Sequence, residues 1–111
     1  MTQSAPFHCD VQKEGKDEQG NQLTSVKCHG RLSTESAGIL RDTVKPLLVS
    51  GGRIIVDLAD VSSVDSSGLG ALVGLKVSAI NKGYCILEFV NMTPRILDLF
   101  RITNLTQMLS K

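Results

Sequence analysis

The chain contains no tryptophan and few aromatic residues of any kind: Phe7, Tyr84, Phe89 and Phe100 make up 4% of its 111 residues. With no basic run interleaved among them, these rings cannot build a charged groove that stacks nucleobases. Twelve lysines and arginines stand against 11 acids, a net charge of +1. No strong field of one sign therefore draws the chain to nucleic acid or to an acidic membrane. Residues 1–6 have no apolar signal core, and no apolar run approaches the roughly 20 residues that span a bilayer. These absences predict a cytoplasmic protein with no direct membrane binding. Cysteine is scarce too: Cys9, Cys28 and Cys85 fit a reducing compartment and include no Cys-x-x-Cys. Two cysteines have histidine neighbours, His8-Cys9 and Cys28-His29. If both segments are strands, adjacent residues face opposite ways. Thiols and imidazoles are then predicted on opposite faces, and no four-ligand metal site is expected. Nor is there a Gly-x-x-x-x-Gly-Lys loop for a nucleotide, so no cofactor is expected.

What is present suits one soluble domain over residues 1–111, with 41% hydrophobic residues and residues 1–6 expected to be disordered. Phe7, Cys9 and Val11 alternate with polar residues, the mark of a half-buried strand. Residues 12–22 are polar and hold two glycines, which predicts an exposed hairpin loop. Leu23 to His29 reads as a second strand with Val26 and Cys28 inward, ended by Gly30. Ser33-Thr34-Glu35 starts a helix whose apolar face is Ala37, Leu40, Val44, Leu47 and Leu48. Pro46 predicts a kink or an end near Lys45. Arg53 to Leu58 is apolar on both faces, as a central strand is, and residues 59–64 read as a connector.

A helix over residues 67–81 places Leu69, Leu72, Val73, Val77 and Ile80 on one stripe, with Lys76 a misfit near its middle; Lys76 either snorkels or the helix is rotated. Ala71 and Leu75 then form an apolar strip on the other side, either a docking surface or a contact under a neighbouring helix. Lys82-Gly83 stops this helix. A strand over Tyr84 to Val90 follows, then a helix capped by Thr93-Pro94 and an edge strand over Leu105 to Leu109. The order predicts an α/β fold: a small mixed sheet of four to five strands, with an N-terminal antiparallel hairpin and helices mainly on one face.

Val64-Asp65-Ser66-Ser67-Gly68-Leu69-Gly70 joins the central strand to the second helix. Asp65 or Ser66 can cap that helix, and Gly68 tolerates tight backbone geometry. The same place offers unpaired N–H groups and partial positive charge, where a phosphate is held well. Taken alone, these residues make an ordinary cap.

Together with its flanking segments the motif resembles the signature of anti-sigma factor antagonists, the STAS domain family. The resemblance runs from about Ser25 to Leu109. It takes in Gly30-x-Leu32, Ile54-x-Val56-Asp57-Leu58, Val61, Asp65-Ser66-Ser67-Gly68-Leu69, Lys82-Gly83 and Asn91-x-Thr93-Pro94-x-Ile96-x-x-Leu99-Phe100. It implies a binding module rather than an enzyme, with Ser66 the phosphorylated residue and Asp65, Ser67, Gly68 and Leu69 supporting it. The partners implied are an anti-sigma factor that is a serine kinase, bound by the unphosphorylated form so that a sigma factor is freed, and a metal-dependent serine phosphatase. Arg31 and Ser33 replace acids of the family's Gly-Glu-Leu-Asp-like segment and mark a place where partner choice differs. An alternative keeps the fold but assigns it to a signalling complex or a transport system. A nucleophilic role for Ser66 lacks an evident general base.

Overall fold

The structure, a computed structural model, describes residues 6–107. Strands β1 (His8–Lys16), β2 (Gln22–Leu32), β3 (Gly52–Val64) and β4 (Cys85–Val90) lie in the order β1-β2-β3-β4. β1 pairs antiparallel with β2, and the pairs β2–β3 and β3–β4 are parallel. Helices α1 (Ala37–Ser50) and α2 (Ser66–Lys82) are the crossovers, and α3 (Pro94–Ile102) follows β4. The helices cover one face of this mixed α/β sheet, as expected. Val26, Cys28, Ile54, Val56, Leu58 and Leu87 point from the sheet into that core, where Leu40, Val44, Leu48, Leu72 and Phe100 meet them.

Several elements depart from the sequence reading. Residues 12–22 are not one loop: β1 runs to Lys16 and β2 begins at Gln22, leaving a tight turn at 17–21. Asp17 organises that turn, its Oδ1 accepting from the backbone N–H of Gln19 at 3.0 Å and of Asn21 at 2.8 Å. A side chain that closes its own turn lets the polar strands continue to it. Likewise β2 does not end at Gly30, and residues 59–64 are strand rather than connector. Both continue because the β2–β3 ladder absorbs two irregularities, between Lys27 and His29 and between Gly30 and Arg31. In each, β3 carries one residue more than β2, a β-bulge. Gly30 sits there with φ +101°, a conformation that suits glycine.

Pro46 neither ends nor replaces helix: α1 continues to Ser50. Val44 and Leu48, buried on either side of it, anchor both halves to the core while the proline faces solvent. Residues 105–107 are not strand, and the rest of the expected edge strand, with most of the expected disordered N-terminus (1–5), lies outside the described residues. Among the described residues the sheet has four strands, and no helix is long and apolar enough to cross a membrane.

The largest correction concerns α2. Its buried face is Gly68, Leu69, Ala71, Leu72, Leu75, Lys76 and Ala79. Val77 and Ile80, expected inside, are 40% and 46% exposed, while Ala71 and Leu75, weighed as an exposed strip, are each 1% exposed. Leu75 packing inside was the competing possibility, and it is the one realised. Small residues admit the helix close to its neighbours, and a stripe judged by large side chains overlooks them. Lys76 belongs to this face. Its stem is buried and its ammonium donates to the Leu87 carbonyl of β4. Burial pushes the Lys76 ammonium below its ordinary value, with Glu88 opposing.

The rotated face predicts unequal costs along one helix. Leu75→Ala should destabilise the fold by about 2–5 kcal/mol, whereas Val77→Ala should fall within about 0.5 kcal/mol of wild type. Urea unfolding of both variants checks this; equal losses would contradict the packing.

Candidate functional site

The site forms where β2 and β3 end side by side. Leu32 pairs with Val64 in the last step of the parallel ladder, and the backbone N–H of Asp65 then donates to the Leu32 carbonyl at 3.1 Å. Asp65 is extended (φ −98°, ψ −173°) and is the N-cap of α2. Its Oδ1 accepts from Gly68 N–H at 2.9 Å, and its backbone carbonyl accepts from Leu69 N–H at 2.9 Å. The first of these bonds satisfies one of the four amides that a helix start leaves open, and the second is the first bond of the helix itself. The amides of Ser66 and Ser67 lie outside this cap.

The second carboxylate oxygen of Asp65 reaches the β2–α1 loop, accepting from Thr34 N–H at 3.3 Å. Thr34 also donates its hydroxyl to Ser67 Oγ at 3.0 Å. The two adjacent serines are thereby unequal. Ser67 is half-buried and tied to the loop; Ser66 is exposed at the first position of the helix. Gly68 explains the close approach of loop and helix. A Cβ at this position would lie 2.4 Å from the Leu32 carbonyl oxygen and 2.9 Å from Leu32 Cγ. Leu69, next along, is buried and anchors the turn in the core.

The preceding loop is held from within. Ser36 Oγ donates to the Arg31 carbonyl at 2.6 Å and accepts from Ser33 N–H at 2.8 Å. Ser36 is the N-cap position of α1 yet makes no side-chain cap to that helix. Of Ser33-Thr34-Glu35, expected to start α1, Ser33 does lead into that helix, its carbonyl accepting from Ala37 N–H at 2.8 Å, whereas Thr34 turns to the start of α2. Arg31 Nε donates to Ser63 Oγ at 3.4 Å. Arg31, Ser33, Ser63 and Asp65 line a shallow cavity of about 220 Å³. The loop residues expected at a partner surface therefore share one depression with the cap of the serine helix.

The family model for "Mlab, STAS domain" matches residues 15–110. The chain belongs to the STAS domain family. Within it, the Anti-sigma-B factor antagonist of Bacillus subtilis is 36% identical over 80 residues, 72% of each chain. This likeness places the chain among the anti-sigma factor antagonists of the family. Solved structures share the fold. A candidate anti-sigma factor antagonist from Thermotoga maritima superposes with a TM-score of 0.71 at 23% identity, covering 87% of this chain and 80% of that one. The phosphorylated form of the Bacillus cell fate determinant SpoIIAA gives 0.62 at 19% identity, with 89% and 87% covered.

In this STAS domain the structure gathers Asp65, Ser66, Ser67, Gly68 and Leu69 with Arg31 and Ser33 at one end of the sheet. It does not gather Ala71 and Leu75, which are buried in the core. Thr34 is the residue that sequence reasoning misplaced, as a cap for α1. Its two bonds cross between segments 31 and 33 residues apart, and no local pattern carries such a signal. Among the described residues, the grouping with metal-ligand chemistry is His8, Asp10 and His29, on the other face of the sheet.

Gly68→Ala should destabilise the domain by about 1–3 kcal/mol, because backbone rather than a flexible side chain blocks the new methyl. Gly70→Ala, with nothing within 4 Å of its added Cβ, should instead gain about 0.5–1 kcal/mol from helix propensity. Thermal melts of the two variants should move in opposite directions, by roughly 4–8 °C per kcal/mol; a shift of the same sign would refute the contact.

Proposed function

We propose that this anti-sigma factor antagonist is switched by phosphorylation of Ser66. The observation that carries the choice is the inequality of the two hydroxyls: Ser66 is exposed, while Ser67 accepts from Thr34 and is half-buried. A kinase can reach Ser66 without opening the cap. The unphosphorylated form binds an anti-sigma factor serine kinase and so releases a sigma factor. A metal-dependent serine phosphatase restores that form. The chain's own role is binding, not catalysis.

The effect of a phosphate follows from its surroundings. It adds a charge of about −1.5 to −2 at the positive end of α2. The amides of Ser66 and Ser67 are in reach, so the folded domain tolerates it. Asp65 is adjacent and negative, and an interface over this end would have to bury a dianion beside a carboxylate. Arg31 and Ser33, which share a cavity with Asp65, belong to the same contact surface and tune partner choice. Phosphorylation therefore acts on association and leaves the fold in place.

Capture of the kinase by wild-type, Ser66→Ala and Ser66→Asp chains tests the switch. Ser66→Ala should bind whether or not ATP is present. Ser66→Asp should bind about a hundredfold more weakly, roughly 2.7 kcal/mol, with its amide spectrum otherwise that of wild type. Equal capture of all three, or a collapsed spectrum for Ser66→Asp, would overturn the proposal. Recovery with transporter subunits and no kinase would point to the alternative assignment.

A further inference from the structure

The alternation that parts the cysteines from the histidines also gathers the histidines. Cys9 and Cys28 face the helices, with their sulfurs 3.7 Å apart. On the opposite, uncovered face His8 pairs with His29 across the β1–β2 ladder. Their rings stack at 4.6 Å between centroids and 18° between planes. Asp10, two residues along β1, lies on the same face, with its Oδ2 3.0 Å from His29 Nε2. The first irregularity of the β2–β3 ladder completes the group. Lys27 pairs with Asp57, and regular spacing would set Ala59 beside His29; the extra residue in β3 sets Asp60 there. Asp60 Oδ2 is 2.6 Å from His29 Nδ1.

The tautomers follow from these partners. His8 Nδ1 lies 3.3 Å from the Pro6 carbonyl, which can only accept, so Nδ1 carries a proton. His29 Nδ1 donates in the same way to Asp60. His29 Nε2 faces the Asp10 carboxylate, which can only accept, so without an ion this nitrogen carries a proton as well. An ion that displaces that proton leaves each ring with its lone pair at Nε2 and its Nδ1 proton in place. A metal-ligating histidine almost always has this arrangement, with its second nitrogen donating to a carbonyl or a carboxylate that fixes the ring.

We propose that His8, His29 and Asp10 form a site for a divalent transition-metal ion, Zn²⁺ being the best match, with Asp60 the residue that orients His29. Two imidazoles and a carboxylate are a donor set that zinc accepts, with the fourth position open to water. The candidate ligand atoms lie within 4.8 Å of one another. Tetrahedral zinc bonds of about 2.0–2.1 Å separate ligand atoms by roughly 3.3 Å. His8 and Asp10 are exposed side chains on an edge strand, so rotation about their side-chain bonds closes the difference without moving the sheet. An open cavity of about 610 Å³, lined by His8, His29, Arg31 and Asp60 among others, gives the ion and its water access. Lys27, paired with Asp10 in the ladder, and Arg31 on the cavity wall oppose the ion; the carboxylates of Asp10 and Asp60 favour it.

Zinc chloride titrated into the untagged, metal-stripped full chain tests the site by calorimetry. Saturable uptake of one ion per chain is expected. His8→Gln and Asp10→Asn should each weaken it at least tenfold, and Asp60→Asn by about ten- to a hundredfold, all with the wild-type amide spectrum because these residues lie outside the core. The double variant Cys9→Ser/Cys28→Ser should keep wild-type affinity. Absence of saturable binding, affinity unchanged in His8→Gln and Asp10→Asn, or binding lost with the cysteines would overturn the assignment. None of these readouts depends on Ser66.

Discussion

The contact of Gly68 with the Leu32 carbonyl is the constraint on which the candidate site depends. Only a residue without a side chain lets the first turn of α2 settle against the end of β2. Once there, Asp65 can use both carboxylate oxygens, one on its own helix and one on the β2–α1 loop. Thr34, drawn in by the same carboxylate, takes Ser67. The exposure of Ser66 is what remains when the surrounding polar groups have found partners. A side chain at position 68 would push helix and loop apart and end the distinction between the two serines.

The architecture was largely legible in the chain because its signals are local. Two-sided apolar strands, the Lys82-Gly83 stop and the Thr93-Pro94 start each lie within a few residues of what they control, and the structure repeats them. Thr93 caps α3 through Ile96 N–H at 3.3 Å, and Gly83 ends α2 with φ +76°. The misreadings have a common cause in contacts remote in sequence. β3 was read as too short because its second half pairs through bulges. α2 was turned the wrong way because Ala71 and Ala79 pack by being small, and because Lys76 finds an acceptor on β4. At the site, Asp65, Ser66, Ser67, Gly68 and Leu69 stand in one contiguous motif, and their place at the start of α2 was legible. The tie from Asp65 to Thr34 was not, since all of α1 and β3 separate them.

The sheet divides two kinds of chemistry between its faces. Toward the helices lie the thiols and the aliphatic core. On the uncovered side Arg53 pairs with Glu88 at 2.5 Å, Asn91 donates to Asp57 at 3.2 Å, and His29 bridges Asp10 and Asp60. The hydrogen bond to Asp60 raises the His29 imidazole above its ordinary value, burial opposes, and Asp10 adds to the rise. Cross-strand polar pairs of this type satisfy an open sheet face while leaving it wet. Bulges placed within a single parallel ladder decide which side chains meet there, so one backbone irregularity sets the composition of a surface cluster.

The joining of Leu32 to Asp65 also has a kinetic meaning. The β1–β2 hairpin closes through near neighbours, but the ladder from Leu23–Arg53 to Leu32–Val64 links segments about one crossover apart. Contacts of such separation carry the larger loop-closure cost and tend to form late in folding. The cap, the loop and the exposed serine therefore come into being together, and only in a chain whose parallel ladder is complete. Under the proposed switch, a kinase that reads this arrangement does not see nascent or unfolded copies as substrate. Phosphorylation would then count finished molecules, tying the regulatory signal to the folded pool rather than to the total amount of chain.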